Sequence, residues 1–408
     1  MKRVLLALLV GILLLCPIVP VSAANQKIVV LSWYTDEPGG FLAELKQAFE
    51  KDNPGYELEY ITVSSSQVYD RLQTMIAAGE PPDISLLGFD WLAALAESKM
   101  IQDVDDYVRN NYPLHELFPP IQQAMQWKGK YYALPQRITA KVMYYNRQQF
   151  REAGLGTPSD NWTWKDFLSL AQKLTIRDAE EITRYGFMMD FVLDGHYHWF
   201  PSNSADWFTD DRTQLTMTDP RTIEVMQFLQ DLIYAHRVTA TPAVRNSLTS
   251  AGTAYFNGRT AMQVGGSGTP APNQYPGFEW ALAPIPANTE PGGRVWANLW
   301  VIPTGVRDIE LSLMALGYFA GPVGQQIAFD TRVGLPALRS QALTAKYDHD
   351  YRDYLLGAFS VGKPYPVIAN RDVWSVFNAE FSKLWNNAAP ARTIAEAIQQ
   401  QAEPLMPK

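Results

Sequence analysis

The sequence is poor in cysteine, histidine and positive charge, and each shortage excludes a class of function. Among 408 residues there is one cysteine, Cys16, so the chain can form neither an internal disulfide nor a cysteine-based zinc site. Acidic residues number 42 against 34 Lys and Arg, which argues against broad nucleic-acid binding because such binding requires a basic face. Of the five histidines, His196 and His198 are close in sequence but lack a framework of carboxylates, so no metal site is predicted.

Apolar and aromatic side chains are abundant. Hydrophobic residues make up 47% of the chain and charged residues 19%, which is enough apolar material for a large core and too little charge for a disordered chain. At roughly 150 residues per domain, the length predicts two or three domains. The 12 Trp, 20 Tyr and 18 Phe suggest that some rings serve as flat binding surfaces in addition to filling the core.

The N-terminus has the pattern of a secretory signal peptide. A basic start at Met1-Lys2-Arg3 is followed by an apolar stretch and then by small residues up to Ala23. The stretch is shorter than the ~20 residues needed to span a bilayer, which disfavours the alternative of an uncleaved anchor. Lipid attachment at Cys16 is another alternative, but its neighbours match lipoprotein signals poorly. We expect residues 1–23 to be a cleaved signal peptide and the mature chain to be periplasmic.

Strand and helix patterns alternate along the chain. A short apolar run at 27–34 is followed by helical spacing from Phe41 to Phe49, and strand patterns return at 56–63 and 83–87. Alternation in units of this size predicts an α/β fold with a mainly parallel sheet. Two separate strands are predicted at 131–135 and 140–145. Further helices are predicted at 164–174, with Thr163 as its N-cap, and at 222–235, 310–319, 371–386 and 393–402.

Five segments carry a family resemblance. They are Phe49-Glu50-Lys51-Asp52-Asn53-Pro54-Gly55, Gly79-Glu80-Pro81-Pro82-Asp83, Lys128-Gly129-Lys130-Tyr131-Tyr132-Ala133-Leu134-Pro135, Tyr144-Tyr145-Asn146 and Tyr255-Phe256-Asn257-Gly258-Arg259. In this order and spacing, the chain resembles the family 1 extracellular solute-binding proteins, the sugar-binding components of bacterial ABC importers related to maltose-binding protein. The resemblance covers essentially the whole mature chain.

The resemblance implies a two-lobed periplasmic binding protein fold of type II, with the ligand cleft between lobes that are joined by crossing hinge strands. Lobe 1 would comprise residues 24–135 and 300–345, and lobe 2 residues 136–299 and 346–408. The hinges would lie near Pro135-Gln136 and Trp300-Val301, where a proline or a strand end can absorb the change in backbone angles on closure.

Candidate ligand contacts follow strand ends, because ligands of open α/β sheets bind beyond the carboxyl ends of strands. A sugar offers C–H faces to aromatic rings and hydroxyls to polar side chains. In the first half of the chain the candidates are Trp33, Tyr34, Ser65, Phe89, Asp90, Trp91, Arg137 and Thr139. Ser65 either contacts ligand or caps the next helix, and Arg137 either contacts ligand or pairs with a carboxylate between the lobes. By the resemblance, Asp90 matches a sugar-binding acid, whereas Trp91 stands where relatives have a cation.

The second half of the chain supplies further candidates. They are Asp190, Trp199, Gly266, Ser267, Trp296, Asn298 and Trp300. Gly266 and Ser267 would offer backbone donors unobstructed by a side chain. Trp296, Asn298 and Trp300 alternate along one strand face, which would be either a stacking wall in the cleft or core packing.

These expectations define a function. No Walker, G-x-S-x-G or H-E-x-x-H motif appears in a useful context, so the sequence predicts neither a cofactor nor an enzyme. The predicted function is that of a monomeric substrate-binding protein which captures a mono- or oligosaccharide and delivers it to an ABC transporter permease. The alternatives are a non-sugar solute such as a polyamine, phosphodiester or amino acid, and a secreted carbohydrate-active enzyme.

Overall fold

The computed structural model describes residues 25–179, 181–249, 254–266, 277–344 and 351–406. The predicted signal peptide with Cys16, and the candidate Ser267, lie outside the described residues. Every helix in these ranges is too short or too polar to span a bilayer.

Ten strands of the described chain form one large sheet, and two more form a small hairpin. The strands are β1 (Gln26–Ser32), β2 (Tyr56–Thr62), β3 (Ile84–Gly88), β4 (Gln126–Trp127), β5 (Lys130–Tyr131), β6 (Leu134–Asn146), β7 (Ile176–Asp178), β8 (Glu181–Met188), β9 (Thr260–Gly266), β10 (Trp280–Ala283), β11 (Gly293–Val301) and β12 (Gly362–Pro364). The large sheet has the order β2-β1-β3-β11-β6-β9-β8-β7, with β10 paired to β6 and β12 to β11.

The sheet is mixed, which corrects the prediction of a mainly parallel one. Among the described strands, parallel pairing is confined to β1 with β2 and β3, β8 with β9, and β11 with β12. The centre is antiparallel, because β11 runs against both β3 and β6, and β6 runs against β9. Short-range strand and helix patterns do not specify the direction in which distant strands pair.

The long strand β6 connects the part of the sheet that contains β11 with the part that contains β9. β6 has 13 residues and pairs with β11 through its first half and with β9 through its second half. The two strands predicted at 131–135 and 140–145 are therefore replaced by one continuous strand from Leu134, preceded by the short β5. Asn298 is opposite Arg137 whereas Leu299 is opposite Pro135, so Gln136 is an extra residue that forms a bulge.

Sixteen α-helices are assigned in the described residues. They are α1 (Phe41–Asp52), α2 (Val68–Ala77), α3 (Leu92–Glu97), α4 (Asp105–Asn111), α5 (Pro119–Ala124), α6 (Arg147–Glu152), α7 (Trp164–Leu174), α8 (Leu193–His196), α9 (Pro220–Tyr234), α10 (Pro242–Thr249), α11 (Ile309–Ala320), α12 (Pro322–Asp330), α13 (Arg339–Thr344), α14 (Tyr351–Val361), α15 (Asp372–Trp385) and α16 (Ala391–Ala402). The predicted helices correspond to α1, α7, α9, α11, α15 and α16.

The start of α7 shows why the sequence forms a helix there. Thr163 is in an extended conformation, its hydroxyl accepts a hydrogen bond from the Asp166 amide, and the Asp166 carboxylate accepts one from the Thr163 amide. This capping box satisfies two backbone donors that have no partner within the helix. The predicted N-cap is confirmed.

Many aromatic side chains fill the core beside α7 and the C-terminal helices. Trp199 is buried against Trp164, Phe167 and Phe187, whose ring centroids lie 5.1–5.9 Å from its own. Helices α15 and α16 pack together and both pack against α9. The C-terminal segment thus folds back over the middle of the chain and brings the start of α15 towards the centre of the sheet.

Candidate functional site

Two adjoining cavities lie where the central strands end. The first, here called the Trp33 chamber, has a volume of about 440 Å³ and is lined by Trp33, Ser65, Ser66, Val68, Tyr69, Leu87, Gly88, Asp90, Trp91, Arg137 and Asn298. The second, the Arg294 chamber, has about 420 Å³ and is lined by Gly88, Phe89, Asp90, Leu193, Asp194, Arg294, Trp296, Asn298, Tyr365, Arg371, Trp374 and Asn378. The chambers share Gly88, Asp90 and Asn298, so together they form one cleft.

Strand register explains the shared residues. Asn298 on β11 is opposite Gly88 at the end of β3 and, on its other side, opposite Arg137 on β6. This row across three strands forms the floor of the cleft. The Asn298 side-chain amide donates towards the Gln136 side-chain oxygen at 3.4 Å and the Tyr34 hydroxyl at 3.5 Å, which places Tyr34 beside the cleft.

Asp90 occupies the boundary between the chambers. A Cβ atom at position 88 would lie 2.5 Å from the Asp90 Oδ1, so glycine is required there for the carboxylate to fold back over the strand end. Burial raises the pKa of the Asp90 carboxyl, and the Arg371 and Arg294 guanidinium groups oppose this rise. The carboxyl is therefore less acidic than an exposed aspartate.

Trp91 contributes an edge to the cleft. Tyr69 stacks on the Trp91 ring with centroids 3.8 Å apart, and the Arg371 guanidinium lies 3.4 Å from the same centroid. Two groups this close to one centroid must cover opposite faces of the ring. Both faces are thus occupied, and Trp91 offers no face for stacking on a sugar in this conformation.

Arg294 is the most buried charge of the cleft. Only 4% of its surface is exposed, and its Nη1 lies 3.0 Å from the Asp194 carboxylate. The guanidinium carbon lies 4.5 Å from the Trp296 centroid and 5.1 Å from that of Tyr365, within cation–π range. Its buried Nε has no hydrogen-bond partner among the described residues.

A second cation flanks Trp296. The Lys141 ammonium lies 5.5 Å from the Trp296 centroid, and both burial and the charge of Arg294 lower the pKa of Lys141. Gly266 is also close, because a side chain there would lie 2.9 Å from the Trp296 ring and 3.5 Å from the Thr139 hydroxyl. Thr139 and Gly266 thus lie beside Trp296, but neither of them lines either chamber.

Two predicted tryptophans are corrected by the structure. Trp199 and Trp300 are both fully buried, so neither is accessible to a ligand. Trp300 does share a strand face with Trp296 and Asn298, but Phe41 and Phe319 cover it, with ring centroids 6.5 Å and 5.2 Å away. The strand face passes from the open cleft into the core beneath α1 and α11.

The remaining candidates are placed as follows. Trp33, Ser65, Phe89, Asp90, Trp91, Arg137, Trp296 and Asn298 line the chambers. Neither Ser65 nor Ser66 caps α2, whose N-cap is Gln67 without a side-chain bond. Asp190 lies 3.2 Å from Arg245 in an ion pair, and does not line either chamber. Arg137 makes no ion pair with any described residue, and its buried Nε lacks a hydrogen-bond partner there.

Sequence reasoning missed half of the Arg294 chamber. The unpredicted lining residues with polar or aromatic side chains are Asp194, Arg294, Tyr365, Arg371, Trp374 and Asn378. Most belong to the C-terminal segment that α15 carries back to the sheet, and no local pattern indicates that return. The available signal was Arg294, a charge two residues before Trp296 on a strand whose alternate positions were predicted to face the cleft.

His196 and His198 belong to the core. Both rings are buried, and burial lowers the pKa of His196 to about 3. His196 packs against Phe381 and Trp385, each with a ring centroid 4.8 Å away. Within the described residues, no group of three or more His, Cys, Asp or Glu side chains could hold a metal ion.

The family of the chain follows from comparison with known proteins. The family model for bacterial extracellular solute-binding proteins matches residues 32–326. The chain therefore belongs to the bacterial extracellular solute-binding proteins, and the family predicted from the sequence is confirmed.

Individual relatives share a quarter to a third of their residues with this chain, over part of its length. A putative binding protein of Brucella abortus is 30% identical over 195 residues, which are 47% of this chain and 46% of that protein. The chain thus spans about half the length of that relative. The maltotriose-binding protein of Pyrococcus abyssi is 24% identical over 281 residues, which are 67% of this chain and 57% of that protein.

Solved structures show the fold. The ABC substrate-binding protein of Listeria monocytogenes in complex with cycloalternan superposes with a TM-score of 0.79 at 22% identity, covering 93% of this chain and 99% of that one. The chain has the two-lobed fold of periplasmic binding proteins, as predicted.

Proposed function

We propose that this protein is the substrate-binding protein of an ABC transporter, which captures a mono- or oligosaccharide and delivers it to a membrane permease. The observation that carries the proposal is the composition of the cleft. Trp33 and Trp296 are partly exposed, and each lines a chamber that also contains Asn298 and Asp90. Flat apolar rings beside amide and carboxylate groups suit a ligand with C–H faces and hydroxyls.

Size and relatives support a small carbohydrate. Each chamber falls within the roughly 300–1,000 Å³ typical of small-molecule sites. Two similar proteins are described by their sugars, one as maltotriose-binding and one in complex with cycloalternan. We infer that the protein binds its sugar without turning it over and works as a monomer in the periplasm. We further infer that a signal peptide, cleaved after residue 23, directs its export.

Closure of the two lobes would trap the ligand. We divide the chain into lobe 1, residues 24–135 and 300–345, and lobe 2, residues 136–299 and 346–408. The bulge at Gln136 supports a hinge at Pro135-Gln136, since a bulge interrupts regular pairing. In this division the Trp91–Arg371 contact joins lobe 1 to lobe 2 across the cleft. Ligand would bind the closed form better and shift the population towards it.

A solute screen tests this function. The mature chain from residue 24 should gain thermal stability from one or more sugars, because a ligand that binds only the folded state raises the unfolding temperature. Calorimetric titration then gives the affinity. Stabilisation by a polyamine, an amino acid or a phosphodiester, with no sugar active, would refute carbohydrate binding. Release of nitrophenol from nitrophenyl glycosides would instead favour a carbohydrate-active enzyme.

A further inference from the structure

The cleft has a charge opposite to that of the protein. The whole chain is acidic, with a formal net charge of -8. The charged side chains that line the two chambers are Arg137, Arg294, Arg371, Asp90 and Asp194. Lys141 adds a further ammonium beside Trp296. Among the described residues of the lining, arginines outnumber carboxylates, so the cleft favours a ligand that brings negative charge.

Arg137 is the arginine of the cleft that has neither an ion pair nor an aromatic contact among the described residues. Arg294 is paired with Asp194 at 3.0 Å. Arg371 forms no ion pair with a described carboxylate, but its guanidinium lies 3.4 Å from the Trp91 ring centroid, and its positive charge favours the ionised form of Asp90. Arg137 remains, and no described carboxylate lies within ion-pair distance of it. A guanidinium with a buried Nε that lacks a hydrogen-bond partner is costly unless a ligand supplies an acceptor.

The position of Arg137 suits a sugar. It lines the Trp33 chamber together with the Trp33 ring and the amide of Asn298, its neighbour across the strands. Gly334 leaves room for the Arg137 stem, because a Cβ atom there would collide with the Arg137 Cδ. A ring stacked on Trp33 and held by Asn298 would have its substituent within the same chamber as the guanidinium.

We propose that the ligand is an acidic sugar, a uronic acid or an oligosaccharide containing one, whose carboxylate binds Arg137. This inference rests on the function proposed above. Guanidinium and carboxylate are planar groups that form two parallel charge-assisted hydrogen bonds, and these are stronger than the bonds a sugar hydroxyl accepts. Replacing a hydroxymethyl group by a carboxylate therefore raises affinity and makes binding sensitive to salt.

Matched sugar pairs test the assignment by calorimetric titration of the mature chain. The probes are D-galacturonate with D-galactose, D-glucuronate with D-glucose, and trigalacturonate with a neutral trisaccharide, plus D-glucose 6-phosphate. We expect at least one acid to bind about tenfold or more tightly than its neutral partner, and high salt to reduce that ratio. Arg137→Gln should lower acid affinity to that of the neutral sugar. Arg221→Gln, which removes an exposed arginine outside the cleft, should leave it unchanged.

Each of the other possible results refutes one or both of the proposals, or the role of Arg137. Equal or tighter binding of the neutral sugars refutes the acidic-sugar inference and leaves the proposed carbohydrate function standing. Binding of the sugar phosphate alone refutes the inference that the acidic group of the ligand is a carboxylate. An acid preference that survives Arg137→Gln refutes the role of Arg137. Failure of every sugar, with another solute bound, refutes both proposals. Circular dichroism verifies that each variant folds. If a variant does not fold, the sugar pairs measured on the wild-type protein, with their salt dependence, still decide the sugar class.

Discussion

Identical residues serve different purposes according to what covers them. Trp33 and Trp296 are partly exposed and line the cleft, whereas Trp199 and Trp300 are fully buried in the core. All four were candidates for ligand stacking, since a tryptophan near a strand end suits either role. Substitution distinguishes the roles because one set acts on ligand affinity and the other on the free energy of unfolding.

Trp33→Ala should weaken sugar binding about tenfold and leave the fold intact, because it removes a stacking surface from an open cavity. Trp300→Ala should destabilise the protein by about 3–5 kcal/mol, because it leaves a void between Phe41 and Phe319. Calorimetric titration and urea unfolding measure the two effects. Comparable unfolding free energies for the two variants would contradict the division into cleft and core.

Asp90 should make stability depend on pH in an unusual direction. Because burial raises the pKa of its carboxyl in the folded state, the folded chain holds a proton that the unfolded chain has lost between its ordinary pKa of 3.8 and the raised value. Stability conferred by this group is therefore lost as the pH rises through that window. Asp90→Asn should remove this pH-dependent loss of stability. Its unfolding temperature should therefore rise relative to that of wild type as the pH rises from about 4.

Asp211 provides the matched control with the opposite sign. Hydrogen bonds from Thr209 and Thr213 lower the pKa of the Asp211 carboxyl. The stability that Asp211 contributes is present above its ordinary pKa and lost as the pH falls through the lowered one. The unfolding temperature of Asp211→Asn should therefore fall relative to that of wild type as the pH rises. If the unfolding temperatures of the two variants changed with pH in the same way, burial of Asp90 would not govern its titration.

At the scale of elements, local sequence predicted the ends of several helices more closely than the extent of β6. The ends of α7, α11, α15 and α16 agree with prediction within a few residues, because caps and helical spacing are local signals. β6 was predicted as two strands, since nothing local shows that one strand pairs with β11 and then with β9. The alternation of Trp296, Asn298 and Trp300 on β11 was predicted correctly, but not that α1 and α11 cover only the last of them.

The α7 capping box gives a prediction at this scale. Thr163→Ala should reduce the free energy of unfolding by about 1 kcal/mol, because it removes the acceptor for the Asp166 amide. Thr163→Ser keeps that acceptor and should preserve most of the stability. Urea unfolding measures both variants, and an equal loss for serine would mean that the threonine methyl group matters more than the cap.

For the whole molecule, the cleft depends on segments far apart in sequence. The segment after β3, the start of β11 and the start of α15 supply Asp90, Arg294 and Arg371 to one cavity. Arg371 also touches Trp91 across the cleft, so the proposed closure and the binding site share a residue. A change at Arg371 should therefore alter the balance of open and closed forms before any ligand is added.

Arg371→Ala should shift the ligand-free protein towards the open form, because a cation–π contact contributes about 0.5–2 kcal/mol to closure. Small-angle X-ray scattering should show a larger radius of gyration than for wild type, and a bound sugar should reduce it. Arg221→Ala, at an exposed site outside the cleft, should leave the radius unchanged. An identical radius for Arg371→Ala and wild type would show that the contact does not hold the lobes together.

The sequence by itself determined the family, six of the sixteen helices and the strand ends that lead to Trp33 and to Phe89-Asp90-Trp91. These depend on periodicity, caps and short segments, which are local properties. Only the tertiary structure decided that the sheet is mixed, that Trp199 and Trp300 are covered, and that Arg294 and Arg371 join Asp90. Strand direction, burial and the meeting of distant charges depend on contacts between elements, and no stretch of neighbouring residues encodes them.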